Sequence, residues 1–341
     1  MVFQGVGAAL LFNGTQEAML RHYSADLQGD AVSYGMVGLS SGLFLGPIYG
    51  GVVYDLLGFE WCFLIVSFGF LLLFLGGCVC LHYATQSGIP GAFSVPQNVH
   101  GEEEQSGEVQ SMFTFIVDSY STVGSHQKLQ LIFCTFLVEM VLWSTVMAVE
   151  TFYLERHGWS ATNTGLMLSV VSLFYGVVSF LSGWIFRHAR WFVIWAPYPS
   201  LVLLSLFLPL IGITTSPWGL ILINLACGTL TGVVELTSIF NFRILLNGSP
   251  VAFSLTDICF CAGGMTGALV GTALNDSMPS TFTALLLLGS VSACFGLPAC
   301  YLAVQLYGEW VGKGEWLGVP ALGVACKSPL HPFELIEGTE L

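Results

Sequence analysis

The chain is short of charge. Asp, Glu, Lys and Arg make up 9% of its 341 residues, against roughly 25% in soluble domains. So few charges cannot solvate the surface of a soluble protein of this size, which excludes that class. Lys and Arg together number only 8, so nucleic acid is excluded as a partner. The 10 cysteines show no metal-ligand spacing; Cys78/Cys80 and Cys259/Cys261 are C-x-C pairs inside apolar runs, read as buried thiols. There is no Walker motif, no nucleophile elbow and no HExxH pair, so primary ATP-driven transport and hydrolytic chemistry have no support. No enzyme activity, cofactor or metal is implied. The N-terminal apolar stretch lacks the basic start of a cleavable signal peptide.

What is present is apolar sequence. Hydrophobic residues are 55% and the mean hydropathy is +0.79. About nine apolar runs reach the roughly 20 residues that a bilayer core requires. They lie near 1–20, 31–53, 60–82, 129–153, 163–185, 190–213, 217–240, 250–274 and 281–306. The reading is an all-α, multi-pass integral membrane protein in contact with the lipid bilayer. Residues 83–128 are polar, acidic and rich in Gly and Ser, with Glu102, Glu103, Glu104 and Glu108, and read as a flexible linker. Residues 1–82 and 129–306 then form two helical units, and 307–341 a non-spanning tail. If the connection after the first run is cytoplasmic, Arg21, Lys128, Arg187, Arg190, Arg243, Lys313 and Lys327 all lie on that side, with Arg156 alone opposite. That asymmetry follows the positive-inside rule and places the linker and tail in the cytoplasm.

One stretch organises the rest. Gly38, Gly42, Gly46 and Gly50 recur every four residues, with Pro47 and Gly51 beside them and Asp55 and Gly58 following. Glycines at that spacing share one helix side and admit a neighbouring backbone, while Pro47 bends the helix. The bland reading is a small-residue packing face. The pattern GxxxGPxxGG also resembles the antiporter motif of the fifth helix in major facilitator superfamily exchangers. Gly263, Gly267 and Gly271 repeat the spacing six helices later, with Ala268 in place of the proline. Such transporters consist of two six-helix halves related by a parallel repeat. On that plan the chain corresponds to helices four to twelve of a major facilitator-type bundle. Gln4-Gly5-Val6-Gly7-Ala8-Ala9 resembles the fourth-helix motif RxxQGxGAA, with Met1 where the Arg would stand. The first three helices are then missing, read as a truncated gene model or, second, a natural short isoform.

Acidic residues inside apolar helices cost roughly 3 kcal/mol each on insertion scales and are functional candidates by default. Four stand out: Glu139, Glu150, Glu235 and Asp257. Glu139 and Glu150 are eleven residues apart and share a helix face, about 16 Å from one another. Asn224 stands eleven residues before Glu235 on the face of its own helix. A carboxyl removed from water can exchange its proton for a cation, which is what a proton-coupled carrier of cations needs. The structural alternative for each is an acid satisfied by nearby Ser, Thr or Asn.

The segment Thr256-Asp257 through Leu274 resembles the eleventh helix of the vesicular amine transporters, the monoamine, acetylcholine and polyamine carriers. Asp257 precedes a Phe-Cys-x-Gly run, Phe260 to Gly263, as in that family. Gly232-Val233-Val234-Glu235 matches its tenth-helix acid, with Glu for the usual Asp, and Glu150 matches its seventh-helix Glu. The resemblance implies secondary antiport of protons against a small organic cation, in a vesicular or other endomembrane. Glu150, Glu235 and Asp257 are the implied coupling residues. Glu139, Asn224, Tyr153 and Tyr175 are accessory candidates, the two tyrosines as cation–π faces. Gly42, Gly46, Pro47, Gly50 and Gly51 would form a close-packed, bent interface. A carrier of another small metabolite and a transport-inactive fragment are the alternatives.

Overall fold

The computed structural model describes residues 28–86, 121, 123–124, 126–188, 190–246, 251–277 and 280–313. The described residues form helices alone: α1 (Gln28–Leu57), α2 (Phe59–Gln86), α3 (Gln127–Arg156), α4 (Ala161–His188), α5 (Arg190–Trp195), α6 (Pro197–Ile211), α7 (Pro217–Leu245), α8 (Val251–Ser277) and α9 (Thr281–Lys313). Seven of them are long and apolar enough to cross a bilayer. They coincide with seven of the nine expected runs. The run at 1–20, with the Gln4–Ala9 motif, lies outside the described residues.

The remaining run, 190–213, departs from expectation. It is not one helix but α5 and α6, joined at Ala196, and α6 has only 15 residues. Pro197 and Pro199 are the cause, since proline supplies no N–H to the helix ladder and restricts the residue before it. The backbone stays right-handed through Ala196 (φ −59°, ψ −34°). Two other boundaries move outward. Helix α2 runs to Gln86, into the expected linker, and α9 runs to Lys313, into the expected tail. The rest of both segments lies almost wholly outside the described residues.

Helix starts and stops have local causes. Helix α7 opens with Pro217 at its first position, where no amide hydrogen is needed. Helix α3 stops at Gly158, whose φ of +77° favours glycine, and the amide of Gly158 donates to the Glu155 carbonyl at 2.9 Å. Gly58, at φ +89°, makes the same kind of break between α1 and α2.

Helix α3 is the centre of the bundle. It packs on α7, α8 and α9, and one side of it contributes to both apolar cores. Helix α4 packs on α1 and α7, and α6 on α7 and α9. The outer faces are apolar instead of polar. Along α2, Phe63, Leu64, Phe68, Phe70, Leu73 and Phe74 are all exposed. In water such a surface would drive aggregation; in a bilayer it is the solvent-facing surface. This is a multi-pass integral membrane protein.

The two glycine stripes behave differently. In α8, Gly263, Gly267 and Gly271 lie against α3, at Met140, at Val141 and Ser144, and at Thr145 and Ala148. The Thr145 hydroxyl lies 3.0 Å from the Gly267 carbonyl oxygen at that contact. In α1, a methyl at Gly38, Gly42, Gly46 or Gly50 would have no described neighbour within 4 Å. The close approach in α1 is made by Gly51 against Ala161, and by the Pro47 carbonyl against Gly165 of α4. Of the interface expected along Gly42, Gly46, Pro47, Gly50 and Gly51, the contacts with α4 among the described residues are made at Pro47 and Gly51.

Candidate functional site

Helices α3 and α7 run antiparallel through the bundle. On α3, Glu139 and Glu150 are eleven residues apart; on α7, Asn224 and Glu235 are eleven apart. Equal spacing on antiparallel neighbours makes two cross-helix rungs, about 16 Å from each other.

The first rung is Glu150 with Asn224. Both are fully buried, and the Asn224 Nδ2 donates to Glu150 Oε1 at 2.6 Å. The other oxygen of each, Glu150 Oε2 and Asn224 Oδ1, has no hydrogen-bond partner. Asn224 lines a narrow cleft of about 10 Å³, with Trp143, Met147, Cys227 and Thr231 among the other walls. The Thr231 hydroxyl is also buried without a partner. Cys227 and Glu150 interact electrostatically. Two of these unsatisfied groups, on Asn224 and Thr231, thus line the cleft, and the third is on Glu150, the hydrogen-bond partner of Asn224. Buried polar atoms normally find a partner, and orphans of this kind call for an explanation.

The second rung is Glu139 facing Glu235. Glu139 is 0% exposed and Glu235 3%. The Tyr175 hydroxyl, from α4, donates to Glu235 Oε1. Gly232, one turn before Glu235, lies against the backbone of Tyr175 and so lets α4 approach closely enough for that bond. Neither carboxylate oxygen of Glu139 has a hydrogen-bond partner. Glu139 acts electrostatically on Glu235, Tyr175 and Cys259. Among the described residues, no Lys, Arg or His is among the groups acting on Glu139, Glu150 or Glu235.

The other candidates fall elsewhere. Tyr153 turns to the end of the bundle where α3 stops: its hydroxyl donates to the Thr214 carbonyl at 3.2 Å, and its ring lies 4.3 Å from that of His157. Tyr175 serves as a phenol donor, with its ring buried in the core. Asp257 is half-buried on α8 and interacts with Cys261 one turn on; it is not among the groups acting on the three buried glutamates. Asn224 pairs across to Glu150, not along its own helix toward Glu235. Thr231 and Cys227 are the cleft residues that sequence reasoning passed over. Their signal was spacing: Cys227 stands three and Thr231 seven residues after Asn224, on its face of α7.

A bundle of apolar helices with acids on its inner faces is a carrier architecture. The sequence model of the Major Facilitator Superfamily matches residues 1–268. The chain belongs to that superfamily. It is a membrane transporter of the major facilitator type, with an all-helical fold that fits the assignment. The superfamily consists generally of transporters and not of enzymes. No curated relative matches the chain.

Proposed function

We propose that this major facilitator protein is a secondary antiporter that moves a small organic cation, an amine or polyamine, against protons. The observation that carries the reading is the pair of rungs: three buried glutamates, with no cationic side chain among the described residues acting on them, in the interior of a transporter. A buried carboxylate without a basic partner must be neutralised by a proton or by a cationic ligand. A carrier that exchanges one for the other uses both states.

The Glu150 rung suits an ammonium group. An alkylammonium has three donors and no acceptor. Among the described residues, Asn224 Oδ1 and the Thr231 hydroxyl line one cleft without partners, and Glu150 Oε2, on the carboxylate that Asn224 donates to, has none either. Trp143 and Met147 supply apolar and aromatic walls for the rest of the molecule. Glu235 serves the proton-coupling step, and Asp257 of α8 is a further coupling acid. The Pro47–Gly51 edge of α1, against α4, is the sliding contact between the two helical units. A vesicular or other endomembrane, whose lumen is acidified, supplies the proton gradient.

The test is uptake into proteoliposomes. The purified chain is reconstituted, a pH gradient is imposed with the lumen acidic, and labelled putrescine and labelled phenethylamine are offered outside. Gradient-driven accumulation of at least one is expected, with loss of about tenfold or more in Glu150→Gln. Accumulation of neither amine by the unmutated chain, or full accumulation by Glu150→Gln, rejects the reading.

A further inference from the structure

The geometry points to Glu139 and Glu235 as a carboxyl–carboxylate pair that holds one proton between them, a coupling-ion site separate from the cleft at Glu150. This deepens the antiport reading and rests on it for the pair's role in transport, though not for the existence of the site.

The argument starts from what surrounds Glu139. It is fully buried, and both its oxygens lack a hydrogen-bond donor. A charged carboxylate in that position would be desolvated with nothing in return, at a cost of several kcal/mol. The titratable groups facing it are Glu235 from α7, Tyr175 from α4 and Cys259 from α8. From α9 and α6, the titratable Tyr307, Cys300 and Tyr198 act on one another instead. Each group that faces Glu139 is either neutral or acidic. Two carboxylates side by side in a low-dielectric interior repel, and a pair of this kind relieves the repulsion by keeping one proton.

Tyr175 fixes which oxygen is spoken for. Its hydroxyl donates to Glu235 Oε1, and among the described residues the two oxygens of Glu139 are without a partner. A phenol that donates to a carboxylate stabilises the negative charge on Glu235, so the hydrogen sits on Glu139 in the resting pair. Loss of the proton leaves two negative charges; gain of a second leaves none. Either change alters the attraction between α3 and α7, whose other contact of this kind is the Glu150–Asn224 rung. That gives the proton a mechanical route to the cleft about 16 Å away, without a shared binding atom.

The experiment is a pH titration of the 341-residue chain in lipid bilayers without any amine, read by infrared difference spectroscopy at the C=O stretch of a protonated carboxyl. Glu139→Gln and Glu235→Gln are each expected to shift the midpoint of the carboxyl that remains, and the double variant to remove the pair's band. The effects of the single variants are expected not to sum to that of the double. Glu139→Asp keeps a carboxyl at the position and is expected to retain the band at a shifted midpoint, which serves if the Gln variant does not fold. The proposal is overturned if either Glu139 variant titrates as the unmutated chain does, or if the two single effects add. In the same preparation, putrescine and phenethylamine uptake reads the antiport reading independently. A chain that carries neither amine but shows the shared band loses the substrate and keeps the site.

Discussion

The amide of Thr162 donates a 2.8 Å hydrogen bond to the Asp55 carboxylate, so the end of α1 caps the start of α4. Ser160 supplies the neighbouring cap, its hydroxyl accepting from the Asn163 amide at 3.3 Å. The first-turn amides of a helix have no partner within it, and a carboxylate there also meets the positive end of the helix dipole. Asp55 makes this contact from another helix, at the end of the close Gly51–Ala161 approach. Asp55→Ala is expected to speed hydrogen exchange at the Thr162 amide and to loosen the start of α4. Asp55→Asn is expected to restore most of the protection, because Asn is an equally good cap. Identical exchange in Asp55→Ala and the unmutated chain would show that the contact holds nothing.

The two glycine stripes give a paired test. Gly267 lies against the Val141 carbonyl and Ser144, so an added methyl must push α3 and α8 apart. Overpacking of this kind costs typically 1–3 kcal/mol, an estimate of about that size for Gly267→Ala. Gly46 has no described neighbour within 4 Å of where a methyl would go. There Ala is the better helix former by up to about 1 kcal/mol. Thermal unfolding in detergent should therefore fall for Gly267→Ala and hold or rise for Gly46→Ala. Equal losses in both would mean that the α1 stripe is as tightly packed as its repeat.

These contrasts mark what could be read from the residues alone. The spans were legible because a bilayer imposes their length and leaves no other way to satisfy the backbone. The acids were legible because a charge in such a span is costly. Spacing along one helix also held: Glu139 and Glu150 do share a face. Pairing between helices did not follow from it. Asn224 stands on the face of Glu235, yet its amide reaches Glu150, because the register of α7 against α3 is decided by packing along both helices. Tyr175 was singled out for its ring, but the structure uses its hydroxyl. The stretch from Gly42 to Gly51 was read as a close-packed interface; its period says which residues share a side, and the described contacts with α4 fall at Pro47 and Gly51.

Gly158 ends α3 with φ at +77°, and its amide and that of Trp159 close back on Glu155 and Leu154 at 2.9 and 3.2 Å. A side chain at that backbone conformation is strained, whatever space surrounds it. Nothing lies within 4 Å of the added methyl, so the cost of Gly158→Ala is conformational alone. About 1 kcal/mol is expected, seen as a lower midpoint of thermal unfolding. Gly158→Asn should recover part of it, since Asn tolerates the left-handed region. A variant with Ala that melts with the unmutated chain would contradict the backbone assignment.

The two rungs also predict how stability effects combine. Asn224→Leu removes the donor to Glu150 and leaves a fully buried carboxylate with no partner. Tyr175→Phe does the same to Glu235 Oε1. Each is expected to cost about 1–3 kcal/mol, the penalty for an orphaned buried polar group. The sites are about 16 Å apart along α3 and α7 and share no hydrogen-bond partner. Distant, independent sites add to within about 0.5 kcal/mol, so the double variant should lose the sum. Glu139→Gln combined with Tyr175→Phe should not add, because both act on the same carboxylate, Glu235. Unfolding by denaturant in mixed micelles measures all five chains. If Asn224→Leu and Tyr175→Phe coupled as strongly as the second pair, the rungs would be one network, and the division between a cation cleft and a proton pair would fail.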